Sequence, residues 1–246
     1  RAYALFICIE RGFIMIKIGI DAGHGMSTPG KRTPDNEREW YFNNIVLHAF
    51  EEEMKKYKGV ETKRFDDYTG KTDPLPRVRT DSSNKWGADY FISFHHNALA
   101  GKWGYHGGTE IFVYEKASKE SISFANALLP TLVSSTSLRN RGVKKGNLHM
   151  VRETNCPAVL IEVGFMDSCT DIDLLRDTKK LGNVGTQLAV ATANYLKLSL
   201  KESEVTVTNK HQEVSSWAQE AWDWATKEGI TDGKRPKDTA TREEQI

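Results

Sequence analysis

The chain has 246 residues, room for one or two domains, with 27% charged residues and a formal net charge of +1. So close a balance, 34 basic against 33 acidic residues, argues against a nucleic-acid reader, which would show a basic excess. No apolar run approaches the ~20 residues of a membrane span, and the three cysteines, Cys8, Cys156 and Cys169, have no CxxC spacing, so any metal must be held by nitrogen and oxygen.

The first fourteen residues are fairly apolar, but Glu10 and Arg11 interrupt them and no small-residue cleavage site follows, so they do not read as a secretory signal. Met15 stands just before the first clear strand and is a candidate natural start. Residues 1 to 14 would then be an additional N-terminal segment. Ile16 to Ile20 alternates and is β-branched, so it reads as a strand. It runs into a turn in which Gly23 and Gly25 flank His24 and present the imidazole at the strand's end. After a polar loop, a helix is expected to begin near Asn36. Glu37 and Glu39 sit in its first turn, where the helix dipole favours carboxylates, and Trp40, Leu47, Phe50 and Met54 recur at helical spacing on the core side.

Val60 to Phe65 reads as a second strand, and Leu75 to Trp86 as a helix with Leu75 and Val78 inward. The stretch FISFHHN, 91 to 97, is a buried strand ending in two adjacent histidines, where α/β sheets keep their sites. Neighbouring side chains on an extended segment point to opposite faces, so only one of His95 and His96 easily faces a given ion. A glycine-rich loop with Trp103, Tyr105 and His106 leads to a strand over Thr109 to Tyr114, and Ser121 to Val133 is helical. Residues 139 to 145, RNRGVKK, read as a basic turn, either solvated or in contact with an anion near the site. Ala158 to Val163 is a strongly apolar strand interrupted by Glu162, a carboxylate that costs several kcal/mol there unless it is paired or has chemical work. A helical turn over 171 to 177 and a long amphipathic helix over 181 to 198 follow.

The alternation of strands and helices from Ile16 to Leu198 predicts an α/β fold. Its sheet would be twisted and largely parallel, with helices on both faces. Domain boundaries are expected at 15 to 198 for the main domain and 199 to 215 for a polar linker. A short helical C-terminal tail, 216 to 246, is too small for a core of its own. Four groups are then candidates for one rim: His24, Glu39, His95 and Glu162. Two imidazoles and a carboxylate are a common ligand set for a hydrolytic zinc ion, and a carboxylate in an apolar setting suits a general base. A dipole-favoured first-turn residue is the plainer explanation of Glu39 taken alone.

Between Lys17 and about Leu198 the chain resembles the zinc-dependent N-acetylmuramoyl-L-alanine amidases of the type 3 family. The resemblance rests on IDAGHG at 20 to 25, Glu39, the Arg79, Asn84 and Gly87 to Asp89 series, and SFHHNA at 93 to 98. It continues through GTEIFVY at 108 to 114, RNRGVK at 139 to 144 and the stretch from Asn147 to Met166. It implies a sheet of about six strands, zinc ligands at His24, Glu39 and His95, and a catalytic glutamate at Glu162. Cleavage of peptidoglycan between N-acetylmuramic acid and L-alanine would follow, with lysis of the cell wall. His96 falls beside the ligand position, and His106, His149 and Arg152 fall along the presumed cleft as substrate contacts or local structural contacts.

Residues 217 to 244 resemble the first part of an S-layer homology repeat, which implies contact with a secondary cell-wall polymer. An amidase with such a tail suggests a phage endolysin or a host autolysin. It would act at the cell wall and, lacking a clear signal peptide, wait in the cytoplasm until lysis. The competing expectations are a non-enzymatic wall-binding module and a zinc peptidase or deacetylase acting on the same polymer. No nucleic-acid partner and no membrane span are expected.

Overall fold

The computed structural model describes residues 15–28, 32–201 and 219–229. The N-terminal segment 1 to 14 with Cys8, most of the linker and most of the tail lie outside the described residues. The chain divides into two compact units, Arg1–Lys201 and Glu202–Ile246. In the second, the described element is a helix over Gln219–Lys227.

The first unit is built on one six-stranded sheet: β1 (Ile16–Ala22), β2 (Val60–Arg64), β3 (Tyr90–Asn97), β4 (Thr109–Tyr114), β5 (Asn140–Gly146) and β6 (Ala158–Phe165). Their order across the sheet is β2-β1-β3-β6-β4-β5. β2, β1, β3 and β6 run parallel, whereas β4 is antiparallel to β6 and parallel to β5. No helix lies between β3 and β4, so the chain re-enters the sheet from the rim it has just left and must run back.

The faces of the sheet are covered unequally. Ile18, Ile20, Ile92, Phe94, Val159 and Ile161 point into the larger core beneath α1 (Glu39–Met54), α3 (Lys119–Thr136) and α6 (Thr178–Tyr195). α1 and α6 approach so closely that a Cβ on Gly185 would lie 2.1 Å from the Val46 carbonyl oxygen. Phe91, Ala158 and Leu160 face the smaller core with Met150 and Val151 of α4 (His149–Arg152), which packs beside α2 (Pro76–Trp86). A fifth helix, α5 (Ile172–Arg176), precedes α6.

Three sequence expectations are corrected. α1 begins at Glu39 and not near Asn36, whose φ of +80° belongs to the preceding turn. Leu75 and Val78 are exposed, and α2 buries Arg79, Thr80 and Ser83 instead, because its inner face serves an ion-pair network and not the apolar core. The supposed basic turn at 139 to 145 is largely β5, an edge strand whose exposed Lys144 and Lys145 suit a sheet margin.

Candidate metal centre

The pleat decides which histidine enters the site. Ile92, Phe94 and the buried His96 share the face under α1, whereas Ser93 and His95 project to the other face with Asp21. His95 pairs in register with Glu162 on β6, and Glu162 pairs with Glu110 on β4, so these three side chains stand in a row across neighbouring strands. The Glu162 carbonyl is fixed by the Thr109 hydroxyl at 3.1 Å. Glu110 is held by Arg141 at 2.9 Å and by the Asn97 amide at 3.0 Å.

His24 and Glu39 arrive from the end of β1 and the start of α1. His24 itself adopts the left-handed conformation, with φ of +66°. Its two glycine neighbours are there for close approach. A Cβ on Gly23 would lie 2.1 Å from His95 Cε1, and one on Gly25 would lie 2.7 Å from the Thr72 carbonyl oxygen. Arg79, 2% exposed, clamps this turn from below. Its guanidinium donates to Asp21 at 2.7 Å, to the carbonyls of Ala22 and His24 at 2.8 and 3.0 Å, and to Asp73 at 2.7 Å.

The result is a cluster of His24, Glu39 and His95 whose donor atoms all lie within 4.8 Å of one another. His95 Nδ1 is 2.9 Å from Glu39 Oε1, His24 Nε2 is 3.3 Å from Glu39 Oε2, and the two imidazoles meet edge to face at 5.3 Å between centroids. His95 Nε2 reaches Ser93 Oγ at 3.0 Å, which orients the ring as outer partners of a ligating histidine do. The electrostatics suit a cation at the centre. Burial opposes a charge on His95, yet the Glu39 carboxylate, helped by Glu162 and Asp21, holds its proton affinity above the ordinary imidazole range. Burial and the facing His95 lower that of His24, against the pull of Glu39. Two nitrogens and a carboxylate converging from three separate elements fit a divalent ion such as zinc. The adjoining cleft is lined by Asp73, Pro76 and Met150.

Other residues singled out in the sequence have local partners. His106 bonds Asp167 at 2.7 Å, His149 bonds Thr80 at 3.2 Å, and Arg152 bonds Asn147 and Glu153, both at 2.6 Å. Asp167 was missed in the sequence and organises the rim loop after β3. Its buried carboxylate accepts the N–H groups of Leu99, Ala100 and Gly101 at 2.8–3.1 Å, as well as the His106 imidazole. That loop carries the exposed side chains of Leu99, Trp103 and Tyr105, with the Arg176 guanidinium 5.6 Å from the Trp103 ring. Asn43 was missed as well. It could have been suspected only from its place one helical turn after Glu39 on an otherwise apolar face.

Residues 18–194 match the family described as N-acetylmuramoyl-L-alanine amidase. The chain is 30% identical over 165 residues to the sporulation-specific N-acetylmuramoyl-L-alanine amidase of Bacillus subtilis (strain 168), an alignment covering 66% of this chain and 61% of that relative. It is 29% identical over 187 residues to the N-acetylmuramoyl-L-alanine amidase CwlM of Bacillus licheniformis, covering 75% and 70%. Among solved structures, the catalytic domain of the amidase CwlV from Bacillus (Paenibacillus) polymyxa var. colistinus superposes with a TM-score of 0.68 at 27% identity, covering 75% of this chain and all of that one.

Proposed function

The chain belongs to the N-acetylmuramoyl-L-alanine amidase family, and on that premise we propose that it hydrolyses the amide between the lactyl group of N-acetylmuramic acid and L-alanine in bacterial peptidoglycan, using zinc. The observation that carries this reading is the convergence of His24, Glu39 and His95 beside Glu162 at one end of the sheet. Zinc held by the three side chains would supply Lewis acidity, polarising the scissile carbonyl and lowering the pKa of a water.

The remaining work falls to the protein. Glu162, 5% exposed, takes a proton from the attacking water as the new C–O bond forms. It returns that proton to the leaving nitrogen as the C–N bond breaks, which frees the L-alanine amino group. In support of that role, Glu162 pairs in register with His95, and the Thr109 hydroxyl bonds its backbone carbonyl. The rim loop with Leu99, Trp103 and Tyr105 edges the groove in which glycan and stem peptide lie.

The site of action is the cell wall, where cutting this amide detaches peptides from glycan strands and leads to lysis. Residues 216 to 246, by their resemblance to part of an S-layer homology repeat, would add contact with a secondary wall polymer. Among the described residues no helix is long and apolar enough to cross a membrane.

The test is mass spectrometry of muropeptides released from purified walls. Free L-alanine amino termini with intact glycan strands mark the amidase; cut peptides or free glucosamine amines mark a peptidase or deacetylase. Glu162→Ala should keep its metal and lose nearly all release, and full activity in that variant would remove Glu162 from the mechanism.

A further inference from the structure

The three ligand candidates share a neighbour. Asn43 is fully buried on α1, four residues after Glu39. Its Nδ2 donates to the Gly23 carbonyl at 3.0 Å and stands 3.4 Å from Glu39 Oε1. Its Oδ1 is 2.7 Å from Nδ1 of His96. With the amide donating to Gly23, Oδ1 must accept, so His96 carries its proton on Nδ1. The His96 backbone N–H also donates to Glu39 Oε1 at 3.2 Å. One amide side chain therefore touches the residue before His24, the residue after His95, and Glu39 itself.

We propose that Asn43 is the positioning residue of the metal centre, spacing the β1 turn, the end of β3 and the Glu39 carboxylate before any ion arrives. Packing alone does not account for it. Its position on α1 lies between the buried Phe42 and Val46, where a leucine of similar size would bury more apolar surface. Every side-chain bond described for Asn43 ends on a candidate ligand or on the neighbour of one. His96 supports the arrangement from the other side, with its ring held by Asn43 Oδ1 and its backbone N–H on Glu39 Oε1. Loose ligands would have to be gathered by the ion at its own expense, which lowers affinity. Outer partners that fix ligating groups typically contribute about 10–100-fold.

The inference rests on the metal-dependent reading above, and its test separates the two. Zinc affinity of the metal-stripped full chain is measured against a chromophoric chelator, with Co2+ absorption as a second signal and circular dichroism as a check of folding. Asn43→Leu should stay folded, bind zinc at least tenfold more weakly and show an altered Co2+ spectrum. Wild-type affinity and spectrum in a folded Asn43→Leu overturn the positioning role. If that variant does not fold, the pair His96→Asn and His96→Leu decides. Asparagine retains a donor where Nδ1–H stands and should bind zinc nearly as wild type does, whereas leucine should not. Equal affinities for the pair also overturn it. Absence of zinc binding in the wild type would sink the metal reading itself and this inference with it.

Discussion

Replacing Gly23 with alanine isolates the geometry of the centre in one methyl group. The backbone of Gly23 lies outside the left-handed region, so alanine brings no conformational strain there. Its Cβ would stand 2.1 Å from His95 Cε1, 2.4 Å from Nε2 and 2.5 Å from Nδ1, where carbon contacts normally begin at about 3.5 Å. The ring must withdraw by roughly an ångström or more. It is now pinned at 2.9 Å from Glu39 and 3.0 Å from Ser93, and both bonds would be broken or bent. Metal ligation tolerates about 0.2 Å, and productive catalytic geometry about 0.5 Å. Overpacking of this kind costs about 1–3 kcal/mol against a domain stability of about 5–15 kcal/mol, so the protein stays folded. The expected outcome is a thermal midpoint lowered by only a few degrees, zinc affinity reduced at least tenfold, and amide hydrolysis down about 100-fold. Chelator competition, a melting curve and muropeptide release measure all three. Wild-type zinc affinity and turnover in Gly23→Ala would refute the claim that the glycine exists to admit the His95 ring.

Acid should weaken the fold through His96. Its folded pKa of about 3 lies below the ordinary 6.5, so between those values the unfolded chain binds the extra proton. The stability it confers is intact above about pH 6.5 and is lost as pH falls towards 3, by up to about 1.4 kcal/mol per pH unit. Urea midpoints of the metal-stripped protein should fall between pH 7.5 and 5, and His96→Leu should reduce that fall, with His24 still adding to it and His95 opposing it. Asp167→Ala removes the shared acceptor of three part-buried N–H groups on exposed residues and of the His106 imidazole, so the loop loses its anchor while water takes up much of the lost bonding. Hydrogen exchange should quicken across residues 98 to 106 and KM should rise more than kcat falls; unchanged exchange there would show that the carboxylate does not hold the loop. Burial pushes the Cys156 thiol up to about 12, whereas Cys169 is exposed, so iodoacetamide at pH 8 should label Cys169 and spare Cys156 in peptide maps.

Much of the frame was legible because period and punctuation are local signals. IKIGI, FISFHHN and AVLIEV are strands for the reason that their residues suit buried extended chain, and the pleat alone separates His95 from His96. What escaped depends on partners far off in sequence. α2 could not be oriented from Leu75 and Val78, since its buried Arg79 answers to Asp21, 58 residues away. Asn43 looks like a polar interruption until Gly23 and His96 surround it. The basic residues of β5 disguised an edge strand, because exposed edges take lysines that elsewhere mark turns. The reversal of β4 follows from the missing crossover helix, a feature visible in the sequence once strand polarity is asked about.

The adjacency of β1, β3 and β6 at the middle of the sheet has a kinetic consequence. Glu39 and His95 are 56 residues apart in the chain, and Glu162 joins them only when β6 docks on β3. Parallel pairings of such separation form slowly, because loop-closure entropy must be met before the contacts reward it. A chain still emerging from synthesis, or opened by heat, would have the three candidate ligands scattered. If the proposed ion binds here, its capture would report completion of the sheet, and each bound ion would pull the folding equilibrium forward by mass action. The hydrolytic potential of this polypeptide is latent until its last central strand is home.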